Sequence, residues 1–187
     1  MLEKFQDILG YSDKVVYNKS NKNTTILFIK ILIIAIVLTI LINKFLIFKV
    51  NVPTASMVPT LNVNDILLVG RVPNLNTLKF GDIVVFYSDE FDGYMVKRLI
   101  GLPGDSITMN KGILYVNGEY KTESYIQYED DYTGSFQVPE EKYFFLGDNR
   151  IVSLDSRLWN KTFIDEEDIM GVVKFKIYPF KDIGSIK

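Results

Sequence analysis

The sequence predicts a mainly β domain, built on an antiparallel sheet, that follows a single N-terminal transmembrane helix. Two observations predict this fold class: one long apolar run near the N-terminus, and short apolar segments separated by turn residues after residue 60. The predicted organisation is an N-terminal segment over 1–25, a membrane-spanning helix over 26–48 and a β-rich domain over 49–187. A chain of 187 residues is long enough for one such domain plus an anchor.

The predicted anchor is the run "ILFIKILIIAIVLTILINKFLIF" at 26–48, which only Lys30, Asn43 and Lys44 interrupt. About 20 apolar residues are enough to cross a bilayer core. The lysines lie toward the ends, where their long stems let the ammonium groups reach the headgroups. A buried helix of a soluble protein is the alternative, but such a helix is seldom apolar on every face over this length.

The charges around the run predict its orientation. Lysine-bearing flanks favour the cytoplasmic side, and several lysines precede the run: Lys4, Lys14, Lys19 and Lys22. A cleaved signal peptide would end in a small-x-small site, whereas Pro53 stands at the third residue before a break after Ala55. We therefore expect an uncleaved anchor in the plasma membrane, with the N-terminus in the cytoplasm and residues from about 49 onward outside the cell.

The rest of the chain reads as strands rich in Val, Ile, Phe and Tyr. The predicted strands are "ILLVG" (66–70), "DIVVFY" (82–87), "YMVKRLIG" (94–101), "ILYVNGEY" (113–120), "KYFFLGD" (142–148) and "VVKFKIY" (172–178). Asn117-Gly118 predicts a hairpin, because a type I′ turn needs positive φ at both positions. Only "DEEDI" (165–169), with Asp165 as a possible N-cap, suggests a short helix.

The composition excludes several kinds of active site. The chain contains no histidine and no cysteine, which rules out a thiolate nucleophile, a Cys/His zinc site and a Ser-His-Asp triad. Any hydrolase built on this chain needs a hydroxyl, a carboxylate or a bound water as nucleophile, and Lys, Asp, Glu or Tyr as base. The net charge of -2 and the lack of a basic cluster argue against nucleic acid as a partner.

Ser56 and Lys97 are the candidate nucleophile and base. Ser56 lies in the proline-bounded stretch "NVPTASMVPTL" (51–61), where a serine often serves only a turn. Lys97 lies within an apolar strand, and burial lowers the pKa of a lysine so that its neutral amine can accept a proton. Strand alternation sends Lys97 and Arg98 to opposite faces, so one of them faces inward if the other faces solvent. A lysine that protects a sheet edge is the structural alternative.

A third polar segment follows a predicted strand: "GDNRIVSLDSR" at 147–157. Its serine and aspartate side chains can orient a lysine amine, and Arg150 and Arg157 can pair with its carboxylates. A turn held by its own Asx and Ser hydrogen bonds is the alternative. The acidic stretch "YEDDY" (128–132) is expected to be a solvated loop.

Taken together, four segments resemble the successive boxes of one family, the bacterial type I signal peptidases (peptidase family S26), in its Gram-positive form. The segments are "SMVPTL" (56–61), "GDIVVF" (81–86), "KRLIGLPGD" (97–105) and "GDNRIVSLDSR" (147–157). The resemblance implies an antiparallel β catalytic domain of signal-peptidase type. It also implies a membrane-anchored serine endopeptidase that removes signal peptides from exported preproteins, cuts after small residues of an Ala-x-Ala site, and needs no metal or cofactor.

By this resemblance, Ser56 is the nucleophile and Lys97 the general base. The backbone N–H of Ser56 and the hydroxyl of Thr54 form the oxyanion hole, although many Gram-positive members carry glycine at the position of Thr54. The resemblance also implies supporting residues: Ser153 and Asp155 support the lysine, and Arg98, Asp148 and Arg157 form structural ion pairs. Candidate residues for the substrate pocket are Ile83, Val84 and Val85.

The chain departs from the family pattern at two places. "LWN" follows the last box where the family often shows an aromatic residue and a glycine. Asn160 can occupy the left-handed region that glycine favours, so we expect little effect of this departure. Residues 106–146 leave room for a hairpin or two in place of the large insertion of some Gram-negative members.

The expected partners are preprotein signal peptides, membrane lipid and, transiently, the export machinery. A self-cleaving transcriptional regulator would need a DNA-binding domain, for which the first 25 residues are too few, and the microsomal signal peptidases use a histidine that this chain lacks. Two alternatives remain open: a non-catalytic membrane-anchored relative, and a signal peptidase dedicated to pilus or spore substrates.

Overall fold

The chain begins with one long helix. The computed structural model describes residues 3–128 and 130–186, with residues 3–21 described by their backbone only. Helix α1 (Glu3–Phe45) contains 43 residues. Its Lys22–Phe45 part, 24 residues long, has the length and composition of a membrane span. At about 1.5 Å per residue, this part is ~36 Å long, which exceeds the ~30 Å of a bilayer's hydrocarbon core.

The helix ends earlier than the apolar run does. Ile47 and Phe48 belong to the first strand, so the predicted span of 26–48 is too long at its C-terminal end by a few residues. An apolar run alone does not separate a helix from a β-branched or aromatic strand that follows it directly. From Leu46 onward the chain folds as a second compact unit.

The second unit consists of strands joined by short loops. The strands are β1 (Ile47–Asn51), β2 (Ile66–Arg71), β3 (Ile83–Ser88), β4 (Gly93–Gly101), β5 (Ser106–Asn110), β6 (Ile113–Val116), β7 (Glu119–Tyr120), β8 (Gly134–Gln137), β9 (Lys142–Leu146), β10 (Ile164–Asp165), β11 (Ile169–Tyr178) and β12 (Gly184–Ser185). Single 3-10 turns lie at Leu75–Thr77, Glu166–Asp168 and Phe180–Asp182. The mainly β prediction is confirmed.

The strands form two antiparallel sheets. The large sheet has the order β1-β2-β11-β3-β4-β9-β10, with β12 paired to β11, and the small sheet has the order β7-β6-β5-β8. The small sheet occupies the segment that the sequence assigned to a hairpin or two. The predicted turn at Asn117-Gly118 joins β6 to β7, with φ of 54° and 79° at the two residues. The "DEEDI" segment forms a single 3-10 turn, and Asp165 makes no side-chain capping bond there.

Apolar side chains on the two faces of the large sheet form separate core clusters, because successive residues of a strand point to opposite faces. On β3, Ile83 and Val85 pack in one cluster with Met57 of the loop between β1 and β2, while Val84 and Phe86 pack in the other. The pairing of β4 with β9 places Arg98 beside Leu146, so the polar segment after β9 begins next to the middle of β4. This register brings two of the predicted site segments together.

Candidate active site

The loop that carries Ser56 is closed onto the domain by its two ends. We call residues 52–65 the serine loop. The N–H of Val52 donates to the carbonyl of Asp65 at 3.0 Å, which joins the start of the loop to its end. Met57 is 1% exposed and packs in the core directly after Ser56. A buried neighbour and a closed loop fix the direction in which the serine side chain points.

Ser56 and Lys97 are in direct contact. Lys97 Nζ donates a hydrogen bond to Ser56 Oγ over 2.6 Å, although the two residues are 41 positions apart in sequence. Both side chains are withdrawn from solvent, at 9% exposure for Ser56 and 3% for Lys97. A serine hydroxyl within hydrogen-bond reach of a buried amine has the geometry of a nucleophile and its base.

The environment of Lys97 favours its neutral form. Burial lowers the pKa of Lys97 from 10.5 to about 8, the carboxylate of Asp155 acts in the opposite direction, and Arg157 reinforces the lowering. Desolvation disfavours the charged amine because it removes the water that stabilises the ammonium ion. A lysine with this pKa is partly unprotonated near neutral pH and can accept a proton from a hydroxyl.

Thr54 lies beside the serine hydroxyl. Its Oγ1 is 3.3 Å from Ser56 Oγ, and either oxygen can be the donor. The threonine hydroxyl therefore lies next to the atom that would attack a carbonyl. The role of this hydroxyl in an oxyanion hole stays a prediction.

The polar loop, residues 147–157, approaches the serine loop closely. The N–H of Asn149 donates to the carbonyl of Ser56 at 3.0 Å. A Cβ on Gly147 would lie 2.2 Å from Ser153 Oγ and 2.5 Å from the carbonyl oxygen of Ser56, so only glycine fits at this position. Sequence reasoning did not assign Asn149 a role, although it lies within a recognised box.

Ser153 is buried next to Gly147 but does not make the expected bond to the lysine. It is 2% exposed, and its hydroxyl has no hydrogen-bond partner among the described residues. An unpaired buried hydroxyl is costly, so one placed at a reactive site is ready to bond a group that moves toward it. Its support of Lys97 stays a prediction.

Asp155 and Arg157 form a buried ion pair within the polar loop. Arg157 donates to the carboxylate of Asp155 from both Nε and Nη2, each at 2.8 Å. The second carboxylate oxygen also accepts from the N–H of Gly147 at 3.0 Å. The pair thus links the end of the polar loop to its beginning, and it places a carboxylate close enough to influence the pKa of Lys97.

Arg98 and Asp148 form a second buried ion pair. Arg98 Nε and Nη2 donate to the two oxygens of Asp148 at 2.8 and 2.6 Å. Thr60 of the serine loop donates to the same carboxylate at 2.5 Å. Arg98 is itself 2% exposed, so neither it nor Lys97 faces solvent. The pair ties β4, the serine loop and the polar loop together.

Two carboxylates from outside the predicted segments complete the ion pairs. Glu123 accepts a hydrogen bond from Arg150, and Asp130 accepts one from Arg157. Asp130 belongs to the "YEDDY" stretch, so the solvated-loop prediction is wrong for this residue; Glu129 of the same stretch lies outside the described residues. Each of these pairs spans 27 positions of sequence, and no local pattern marks them.

Ser56 and Lys97 both line a groove of about 510 Å³. The residues along it come mainly from β1, the start of the serine loop and β4: Phe48, Lys49, Val50, Asn51, Val52, Pro53, Thr54, Met57, Arg71, Val85, Tyr94, Met95, Val96 and Met170. Among the three predicted pocket residues, only Val85 reaches the groove. Val84 points to the opposite face of its strand, and Ile83 is buried within the core.

The turn after the polar loop does not use the left-handed region that is open to Asn160. This residue is not among those with positive φ. Instead, the carboxylate of Glu90 accepts bonds from the backbone N–H and the side-chain amide of Asn160 and from the N–H of Lys161. These three bonds fix the turn without a left-handed residue.

The described part of the chain contains no group of three His, Cys, Asp or Glu side chains placed to hold a metal ion. The groups at the candidate site are the Ser56 hydroxyl and the Lys97 amine, which line the groove, and the nearby carboxylate of Asp155. The chemistry that these groups supply is acid–base and nucleophilic.

Comparison with known proteins is consistent with this site. The family model "Signal peptidase, peptidase S26" matches residues 25–178. Signal peptidase I of Bacillus licheniformis is 39% identical over 88% of this chain and 94% of its own. Signal peptidase I T of Bacillus subtilis is 36% identical over 90% and 93%, and signal peptidase IB of Staphylococcus aureus is 37% identical over 80% and 87%. The chain therefore belongs to the signal peptidase family, peptidase S26, as a type I signal peptidase, a serine hydrolase.

Proposed function

We propose that the β domain removes N-terminal signal peptides from exported preproteins, with Ser56 as the nucleophile and Lys97 as the general base. The observation that carries this proposal is the 2.6 Å hydrogen bond between a buried lysine and a buried serine that both line a groove. The names of the relatives support the substrate class, since each is a signal peptidase.

The groove suits an extended peptide. Its lining includes residues 50–54 and 94–97, the two segments beside which a substrate strand would lie. Backbone hydrogen bonds to an added strand would hold the peptide whatever its sequence, and the side-chain pockets would select its residues. Branched and sulfur-containing side chains near Ser56, those of Val52, Met57 and Val85, leave space for small residues such as alanine before the cut.

The reaction follows from the contact between the two side chains. Neutral Lys97 takes the hydroxyl proton of Ser56 as Oγ attacks the carbonyl carbon of the scissile peptide. The N–H of Ser56 and the Thr54 hydroxyl stabilise the resulting oxyanion, and each such donor is worth about 3 kcal/mol in serine hydrolases. Protonated Lys97 then gives its proton to the leaving amine, which leaves an acyl-enzyme on Ser56.

Hydrolysis of the acyl-enzyme uses the same lysine. Lys97 takes a proton from a water molecule that attacks the ester carbonyl, and the proton is returned to Ser56 Oγ as the ester bond breaks. The buried hydroxyl of Ser153 would accept or donate a hydrogen bond to the amine while its charge changes. No step requires a group other than the chain, the substrate and water.

The anchor places this reaction at a membrane surface. We propose that α1 crosses the plasma membrane with its N-terminus in the cytoplasm, so that the β domain meets preproteins as they leave the export machinery. The lysines ahead of the span support this orientation. Only 10 residues separate Phe45, the last residue of α1, from Ser56. The segment between the proposed membrane span and the nucleophile is therefore short.

The test is cleavage of a purified preprotein with an Ala-x-Ala site by the full chain in detergent. Wild type should cut after the second alanine, while Ser56→Ala and Lys97→Ala should lose cleavage and keep the intact fold. Lys181→Ala, which removes an exposed lysine, serves as the matched control. A wild type that leaves several preproteins uncut would favour the non-catalytic relative, and a Lys97→Ala variant that still cuts would remove Lys97 as the base.

A further inference from the structure

The segment that connects β7 to β8 of the small sheet lies against the polar loop. We call residues 121–128, which follow β7, the strap. Two side chains of the strap contact buried arginines of the site. Glu123 accepts a hydrogen bond from Arg150, and the ring of Tyr125 packs on Arg98. No residue of the strap lines the groove that contains Ser56.

Glu123 is the buried partner of Arg150. The two side chains are 7% and 1% exposed, and the carboxylate accepts a hydrogen bond from Arg150 Nη2. The same carboxylate oxygen accepts a second bond from the Tyr125 hydroxyl at 2.6 Å. Removal of one member of a buried ion pair leaves the other charge without compensation, so Arg150 depends on Glu123 for its position.

Arg150 passes this restraint to the backbone of the polar loop. Its Nε donates to the carbonyl of Gly147 at 3.1 Å, and its N–H donates to the carbonyl of Tyr128 in the strap at 3.1 Å. Gly147 is the residue that approaches the Ser56 carbonyl too closely for a Cβ. The backbone N–H of Asn149, which immediately precedes Arg150, donates to the same Ser56 carbonyl at 3.0 Å.

Tyr125 covers the second arginine. The guanidinium carbon of Arg98 lies 3.7 Å from the centre of the Tyr125 ring, within the range of a cation–π contact. Arg98 in turn holds Asp148, which accepts a bond from Thr60 in the serine loop. Burial raises the pKa of Tyr125, and Glu123 contributes in the same direction, so the hydroxyl stays protonated and keeps donating to Glu123.

We propose that Glu123 and Tyr125 are positioning residues for the reaction: they hold the polar loop against Ser56 through Arg150 and Arg98. The inference rests on the proposed function, because it assumes that Ser56 is the nucleophile. Since the strap does not line the groove, its loss misplaces the nucleophile without removing contacts to the peptide. The expected effect is a lower kcat with an unchanged KM.

The first test compares Glu123→Gln with Glu119→Gln in the full chain in detergent. Glu119 also lies in the small sheet, but it is exposed and pairs with Lys121 at the surface. Glu123→Gln should lower kcat about ten- to hundredfold, the loss that a misplaced reacting group causes, while Glu119→Gln should leave kcat unchanged. Fluorescence of Trp159 checks that each variant is folded under the assay conditions.

A double-mutant cycle tests the route through Arg150. If Glu123 acts through this arginine, the double variant Glu123→Gln with Arg150→Gln should lose no more kcat than Arg150→Gln alone. Losses that multiply would overturn the route. Tyr125→Phe keeps the ring over Arg98 and removes only the hydrogen bond to Glu123. This less disruptive variant replaces Glu123→Gln in the test if Glu123→Gln fails to fold. It should lower kcat by a few fold at unchanged KM.

The outcomes separate this inference from the function itself. Glu123→Gln and Tyr125→Phe with the kcat of wild type, or a loss that appears in KM instead, would overturn the strap's role while cleavage by wild type still stands. A wild type that does not cut, or a Ser56→Ala variant that does, would overturn the proposed function, whatever the strap variants show.

Discussion

Replacement of Lys97 by methionine should remove a pH-dependent cost to stability. Burial lowers the pKa of Lys97 from 10.5 to about 8, a difference worth about 3 kcal/mol of unfolding free energy. Between about pH 8 and 10.5 the unfolded chain still binds a proton at this lysine that the folded chain has released. Wild-type stability therefore rises with pH across this window, and the cost is fully present below it.

The measurement is urea unfolding of the full chain in detergent, followed by fluorescence. Trp159 is the single tryptophan of the chain and is 5% exposed, so its emission reports on the β domain alone. Relative to Lys97→Met, wild type should gain about 3 kcal/mol between pH 7 and 10.5. Lost packing does not depend on pH in this window, and Lys181→Met controls for the titration of an exposed lysine. A constant difference between wild type and Lys97→Met would refute the burial argument.

Three further substitutions test the packing and the groove. Gly147→Ala should lower the free energy of unfolding by about 1–3 kcal/mol in urea titrations, because its Cβ meets atoms at 2.2 and 2.5 Å; wild-type stability would contradict the close approach. Thr54→Val should lower kcat about 10²- to 10³-fold in preprotein cleavage, while Thr54→Ser should retain activity. Equal activity of the two would exclude the hydroxyl as a donor. Val85→Phe should raise KM for an Ala-x-Ala substrate about tenfold by filling the groove, and an unchanged KM would place the substrate elsewhere.

Much of the fold could be predicted because local patterns specify it. The apolar runs of β2, β3, β4, β9 and β11 stand between turn residues, and the Asn117-Gly118 turn needs positive φ that few other pairs accept. The short strands β5 and β8 were missed, since "SITMN" and "GSFQ" contain at least as many polar as apolar residues. Their strand conformation comes from pairing with each other, which a local pattern does not record.

Composition and resemblance together named the two residues that meet at the candidate site. Without histidine or cysteine, a serine with a lysine is one of few arrangements available to a hydrolase, and the resemblance of four segments to one family singled out Ser56 and Lys97. The structure brings these two side chains into contact. The face of the sheet toward which each residue of β3 points was harder to predict. Val84 and Val85 are equally apolar, and only the register of the sheet shows which one reaches the groove. Glu123 was missed because its partner lies 27 positions away.

The central claim, that neutral Lys97 is the base for Ser56, is tested most directly by the pH dependence of kcat/KM. Cleavage of an Ala-x-Ala preprotein by the full chain in detergent is measured from about pH 6 to 10, with structure checked by Trp159 fluorescence at each pH. Because the pKa of Lys97 is about 8, kcat/KM should be half-maximal near that pH and fall tenfold per pH unit below it. A rate that stays level from pH 6 to 9 would contradict Lys97 as the base.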